Sequence, residues 1–196
     1  MVEKIKIAGI DYGSKLAGTT AIAMLDENNK FKLIQSQKNA DADEMILQMI
    51  ENFQPDLISL DAPLSLPKGL LTGNMEDDFF YRKADKELKA MSPMFLGGLT
   101  ARAMKIAAIC KKQEIEIIES YPAAFIKAEN LSEFYNKKDV SQLGNFIKKS
   151  SSNFQFKIPK VSNWHALDAC ICLEIGIRKT MGIARFCGEN AELIWH

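Results

Sequence analysis

The chain has 196 residues, 47% hydrophobic and 26% charged, with 25 basic and 25 acidic residues for a formal net charge of zero. That length fits one domain, or a domain with an inserted subdomain, and the composition supplies a full core, which excludes wholesale disorder. No apolar run reaches the ~20 residues a membrane-crossing helix needs, so no membrane partner is expected. Met1–Lys4 leads straight into a strand, which reads as no signal peptide. Cys110, Cys170, Cys172 and Cys187 lack zinc-type spacing and read as reduced structural thiols, giving a cytoplasmic expectation. The charge is unevenly spread: residues 1–80 hold 7 basic and 13 acidic residues, and residues 81–196 hold 18 and 12. Arg82–Lys112 and Lys137–Lys160 are the basic stretches, either solvated helix faces or a phosphate-binding surface.

In chain order, Ile5–Gly13 (IKIAGIDYG) reads as a buried strand that ends on a carboxylate, Asp11, with Gly13 beyond it for a turn. Ala17–Leu25 is a second strand, Asp26–Lys30 a turn, and Phe31–Gln37 a third strand, closing an antiparallel meander. Asp41 or Asp43 caps a helix through Met45, Ile46, Met49, Ile50 and Phe53, which Pro55 stops. Asp56–Ala62 (DLISLDA) is a fourth strand, carried back parallel to the first by the helix and again ending on an acid, Asp61. Pro63–Asp78 reads as a long loop, a lid or rim over the strand ends. Tyr81–Met91 and Leu99–Lys112 are helices separated by a break at Pro93–Gly98, so that about 63–113 forms a helical insertion. Glu114–Glu119 is a fifth strand ending on Glu119, and Ser120-Tyr121-Pro122 turns into a short helix. Asp139 caps a further helix to about Lys149. Val161–Met181 holds the longest helix, and Ala184–Gly188 with Ala191–Trp195 reads as a closing hairpin. The expected class is therefore α/β, a mixed five-stranded sheet of three antiparallel and two parallel strands with flanking helices, in one domain spanning 1–196.

Four acids recur at related places. Asp11, Asp61 and Glu119 end apolar strands, and Asp168 lies in the first turns of an otherwise apolar helix, three residues after His165. Oxygen ligands favour a hard cation, Mg²⁺ or Mn²⁺, and clustered carboxylates suit two-metal chemistry at phosphate, with His165 ordering a water or relaying a proton. Plainer roles stand beside these: Asp11 and Asp61 as turn formers, Glu119 paired with a lysine, Asp168 facing its helix dipole, His165 packed. No phosphate loop, GxGxxG fingerprint or nucleophile elbow is present.

GIDYG (Gly9–Gly13), DAPL (Asp61–Leu64), RKADKEL (Arg82–Leu88), LTARA (Leu99–Ala103), ESYPAA (Glu119–Ala124) and HALDA (His165–Ala169) occur in that order. The set resembles an uncharacterised family of predicted nucleases with the ribonuclease H-like fold, distantly similar to Holliday-junction resolvases. The resemblance implies a ribonuclease H-like sheet and a Mg²⁺- or Mn²⁺-dependent nuclease with Asp11, Asp61 and Asp168 as metal ligands. By the resemblance Glu119 and Tyr121 belong to the ESYP pattern, without Glu119 having to be a metal ligand, and Arg82, Asp85 and Arg102 match positions that could hold phosphate. Glu119 and His165 complete the candidate catalytic set, and Arg82, Arg102, Tyr121 and Lys15 are the candidate substrate-binding residues. Nucleic acid is the implied partner, with a homodimer possible. A non-catalytic protein of the same fold that binds nucleic acid, a nucleotide or a metal is the alternative. An ATP-using enzyme of the sugar-kinase and actin type, suggested by Gly9–Gly13, needs two copies of such a fold.

Overall fold

Every position of β1 (Ile7–Asp11) is buried, because β1 sits in the middle of the sheet with a helical layer on each face. The computed structural model describes residues 5–189 and 192–196. The other strands are β2 (Ala21–Leu25), β3 (Phe31–Gln35), β4 (Leu57–Asp61), β5 (Glu116–Ser120), β6 (Phe186–Cys187) and β7 (Ile194–Trp195). Their order is β3-β2-β1-β4-β5-β7-β6, with β1, β4, β5 and β7 parallel and β2, β3 and β6 closing each edge antiparallel. The sheet thus has seven strands rather than five, because the terminal hairpin pairs with β5 through Glu119–Ile194 and Ser120–Trp195 instead of standing apart. Met1–Lys4 and, within the expected hairpin, Ala191 lie outside the described residues.

The helices are α1 (Ala42–Phe53), α2 (Lys68–Thr72), α3 (Lys83–Leu88), α4 (Pro93–Leu96), α5 (Gly98–Lys112), α6 (Pro122–Ala128), α7 (Leu143–Ser150) and α8 (Trp164–Thr180). Asp41 caps α1, its carboxylate accepting from the Asp43 and Glu44 amides, and Gln54 ends it in the left-handed conformation just before Pro55. Several elements are shorter than the sequence suggests. β2 begins at Ala21, since Ala17 makes only an isolated bridge to Lys38. β3 ends at Gln35. The expected helix over 81–91 shrinks to α3, because Arg82 is extended and Lys89 turns left-handed at φ 57°. The expected loop after Pro63 carries α2. Asp139 caps a single 3₁₀ turn, with α7 starting behind it at Leu143.

The two faces of the sheet take alternate residues. Ala8, Ile10, Ile22, Met24, Ile58 and Leu60 pack against α1 and α5. Ile7, Ala21, Ala23, Leu57 and Ile118 face the other way, against α6, α7 and α8. α8 is buried almost all round and lies directly on β1 at Gly9, where an added Cβ would stand 2.0 Å from the Leu173 amide nitrogen and 2.5 Å from the Ala169 carbonyl oxygen. At Gly176, further along α8, an added Cβ would meet side chains instead, Ile7 Cγ2 at 3.0 Å and Ser59 Cβ at 3.3 Å. At Gly9 the strand and helix backbones touch because the residue has no side chain. Gly9→Ala puts a methyl group into backbone rather than into a movable side chain, so it should destabilise the fold by about 3 kcal/mol in urea unfolding. A loss of only a few tenths would show that α8 is not seated on β1 in this way.

Candidate functional site

Asp11 and Asp61 are register partners at the C-terminal ends of the parallel neighbours β1 and β4. Residues paired across parallel strands point to the same face, and neighbouring strands lie ~4.8 Å apart. Their face is that of Ile7 and Gly9, toward α8. Asp168 comes to the same place from α8: it precedes Ala169, whose carbonyl touches Gly9, and it has no solvent exposure. The N-terminus of α8 is fixed by Asn163, whose side-chain oxygen accepts from the Ala166 amide at 2.9 Å. His165 then lies one turn ahead of Asp168. The structure therefore brings Asp11, Asp61, Asp168 and His165 to one rim of the sheet.

Their partners differ. His165 Nδ1 lies 2.7 Å from Asp11 Oδ2, and this hydrogen bond raises the imidazole pKa above its ordinary value against the opposing effect of burial. The Tyr135 hydroxyl donates to Asp168 Oδ1 at 2.5 Å. The Lys137 ammonium is in ion-pair contact with Asp168 Oδ2, and Oδ2 has no other partner among the described residues. Burial pushes the Asp168 carboxyl up to about 6, and Lys137 only partly offsets this. Burial lowers the Lys137 pKa, but Asp168 more than restores it, so the lysine stays cationic. Asp61, part-buried, has no hydrogen-bond or ion-pair partner among the described residues. Burial first, then the charges of Asp11 and Asp168, drive its carboxyl well above the usual carboxylate range. Tyr135 and Lys137 were not singled out by sequence. Their one signal was that the second basic stretch begins at Lys137.

Glu119 points to the other face of the sheet, although it lines one cavity together with Asp61. It pairs in register with Leu60, not Asp61, so its side chain emerges on the α1–α5 face while Ser120 ends the strand. There it is held by Arg82, whose guanidinium is almost fully buried. Arg82 Nη1 donates to Glu119 Oε2 at 2.6 Å and to Ser65 Oγ at 3.0 Å. Nη2 donates to Glu119 Oε1 and Asp85 Oδ1, both at 2.7 Å, and Nε to the Asp85 carboxylate. All five N–H groups are thus engaged inside the protein. Arg82 is left no donor for a substrate, and Glu119 is the anchor of that guanidinium and the acceptor for the Leu64 amide at 2.9 Å. The pair ties the segment after β4 to β5.

Arg102 is also turned inward. It grips Asp43 through Nε at 2.8 Å and Nη2 at 2.6 Å, donates to the Gly13 carbonyl, and stacks 4.7 Å from the Tyr12 ring. Lys15 is exposed and pairs with Asp41 at 2.9 Å. Tyr121 stays close to the acids: with Asp61, Tyr12, Met91, Leu96 and Leu99 it lines a cavity of about 200 Å³. Burial and then the charge of Asp61 raise its phenol pKa. Among the described residues, no three His, Cys, Asp or Glu side chains are grouped as ligands for one ion. With Asp168 turned to Tyr135 and Lys137, the carboxylates that a cation would meet are Asp11 and Asp61. A hard cation suits them: oxygen-only donors, one of them without a partner among the described residues, and like charges that need compensation.

Arg82→Ala leaves Asp85 and Glu119 buried without a counter-charge, and should cost about 3–5 kcal/mol of stability in chemical denaturation. A substrate-binding arginine would instead show unchanged stability with weakened binding. Comparison of the chain with protein-family models gives no match, and comparison with curated proteins gives none either.

Proposed function

We propose that this chain is a divalent-cation-dependent phosphodiesterase acting on nucleic acid, with its site at Asp11, Asp61 and Asp168. The observation that carries this reading is Asp61: a part-buried carboxylate without a partner among the described residues, in register with Asp11 and near Asp168. Maintaining such a group costs stability, and a cation is what relieves it. Mg²⁺ or Mn²⁺ held by Asp11 and Asp61 would supply a more acidic bound water and a counter-charge for phosphate oxygens. His165 is held through Nδ1 by Asp11, and its side chain is about 45% exposed. This leaves Nε2 toward solvent as the atom that takes a proton from the attacking water. Tyr121, on the cavity wall beside Asp61, positions the group that flanks the reacting phosphate. Nucleic acid as the substrate class rests on the motif resemblance and on the basic stretch that opens at Lys137.

A second reading has its own support. Asp11 and Asp168 are already satisfied by His165 and by Tyr135 with Lys137, which suits a binding protein of the same architecture that cleaves nothing. Asp61→Asn separates the two. In an enzyme it should lower Mn²⁺-dependent cleavage of a panel of branched DNA, single strands and RNA–DNA hybrids about 100-fold or more. It should also raise stability by about 1–2 kcal/mol at neutral pH, by removing a carboxylate that burial first and its like-charged neighbours second make unfavourable. An unfolded Asp titrates near 3.9 and the folded Asp61 far higher, so the parent loses stability as pH rises between those values. The advantage of the variant should therefore vanish below about pH 4. A variant as active as the parent on every substrate sinks the catalytic assignment.

A further inference from the structure

We propose that the Lys137 ammonium is the second cation of this site, so that the chain holds a single divalent ion, at Asp11 and Asp61, where clustered carboxylates alone would suggest two. The proposal rests on the reading of the rim as a cation-dependent phosphodiesterase site and fixes its cation content.

The Lys137 side chain is 53% exposed, but the backbone on either side of it is anchored. Two residues before it, Tyr135 is locked by its hydroxyl on Asp168 and by ring contacts with Phe146 and Trp164, at 5.9 and 5.2 Å between centroids. Two residues beyond, the Asp139 carbonyl accepts from Trp164 Nε1 at 3.2 Å, and Trp164 itself opens α8. Between these anchors the turn is closed by Asn136, whose carbonyl accepts from the Asp139 amide at 3.0 Å. The backbone carrying Lys137 is thus fastened on both sides to the helix that carries Asp168. Its ammonium lies 5.5 Å from the Tyr135 ring centroid, a cation–π distance, as well as on the carboxylate.

Both oxygens of Asp168 are occupied, Oδ1 by the Tyr135 hydroxyl and Oδ2 by an ammonium that has donors and no lone pair to share with a metal. An ion that used Oδ2 would have to displace an ammonium held by the carboxylate and by the Tyr135 ring. Asp11 and Asp61, by contrast, stand in register on rigid strands, and Asp61 has no partner among the described residues. Mg²⁺ commonly keeps several waters and takes one or two protein carboxylates, with substrate phosphate completing its shell. Fully ionised, the three carboxylates would be matched by one ammonium and one divalent ion. Two divalent ions would overshoot unless Lys137 left.

The test is a Mn²⁺ titration of the full chain without nucleic acid, by calorimetry and by electron paramagnetic resonance of free Mn²⁺. The parent and Asp168→Asn should each bind a single ion, and Asp61→Asn should bind at least ~tenfold more weakly. Lys137→Met, which unmasks Asp168 Oδ2, should bind two. Two ions on the parent, a Lys137→Met variant that still binds one, or Asp168→Asn losing the ion as completely as Asp61→Asn would overturn the proposal. Should Asp168→Asn not fold, the parent and Lys137→Met decide alone. No ion on the parent, even at millimolar Mn²⁺, would remove the metal reading itself, a different failure from a wrong stoichiometry.

Discussion

The structure depends on one close approach, α8 laid on β1 with glycine at the crossing. Gly9 lets the helix backbone come into contact with the strand, and two residues later the strand ends on Asp11. Because the helix is seated so low, Asp168 reaches the same rim without exposure. β4 adds Asp61 by register. Three carboxylates are thereby forced together by packing that has nothing to do with their charge. Local partners make this crowding tolerable: an imidazole on Asp11, a phenol and an ammonium on Asp168, and for Asp61 no partner at all among the described residues. That imbalance at Asp61 is what a cation would correct.

The acids of this chain fall into two physical kinds. Glu119, Asp85 and Asp43 are locked to arginines by two-point hydrogen bonds and act as fasteners. Burial raises the Glu119 carboxyl, yet Arg82 pulls in the opposite direction and keeps the pair intact. The Arg82 network ties β5 to the segment after β4, and the Arg102 network ties α5 to α1 and to the chain beyond β1. These clamps frame the strand ends and hold the rim at which Asp11 and Asp61 emerge. A residue set that looks uniform by charge is divided by geometry into frame and site.

Much of this was legible in the sequence, for identifiable reasons. Apolar strands ending on Asp11 and Asp61 mark a sheet mouth, and a helix-returned parallel strand places those ends side by side. Asp168 and His165 are three apart near a capped helix start, so they had to share a face. Glu119 misled because it reads as a third strand-end acid. The strand runs one residue further, to Ser120, and with a period of two that single step moves the side chain to the opposite face. Arg82 and Arg102 sit in a basic stretch and look like phosphate ligands. Their carboxylate partners include residues 37 and 59 positions away, a separation that no local pattern encodes. Tyr135 and Lys137 were invisible for the same reason: the Tyr135 link to Asp168 spans 33 residues of chain. The terminal hairpin was recognisable, but only the pairing of β7 with β5 shows that it extends the sheet.

The central claim is a cation drawn to unbalanced carboxylates at the junction of β1 and β4. Anomalous diffraction from crystals grown in Mn²⁺ tests it most directly. One strong peak is predicted between the carboxylates of Asp11 and Asp61, with the Lys137 ammonium still on Asp168. Crystals saturated with Mn²⁺ that show no peak at those strand ends, or a peak only at a distant surface, would contradict it.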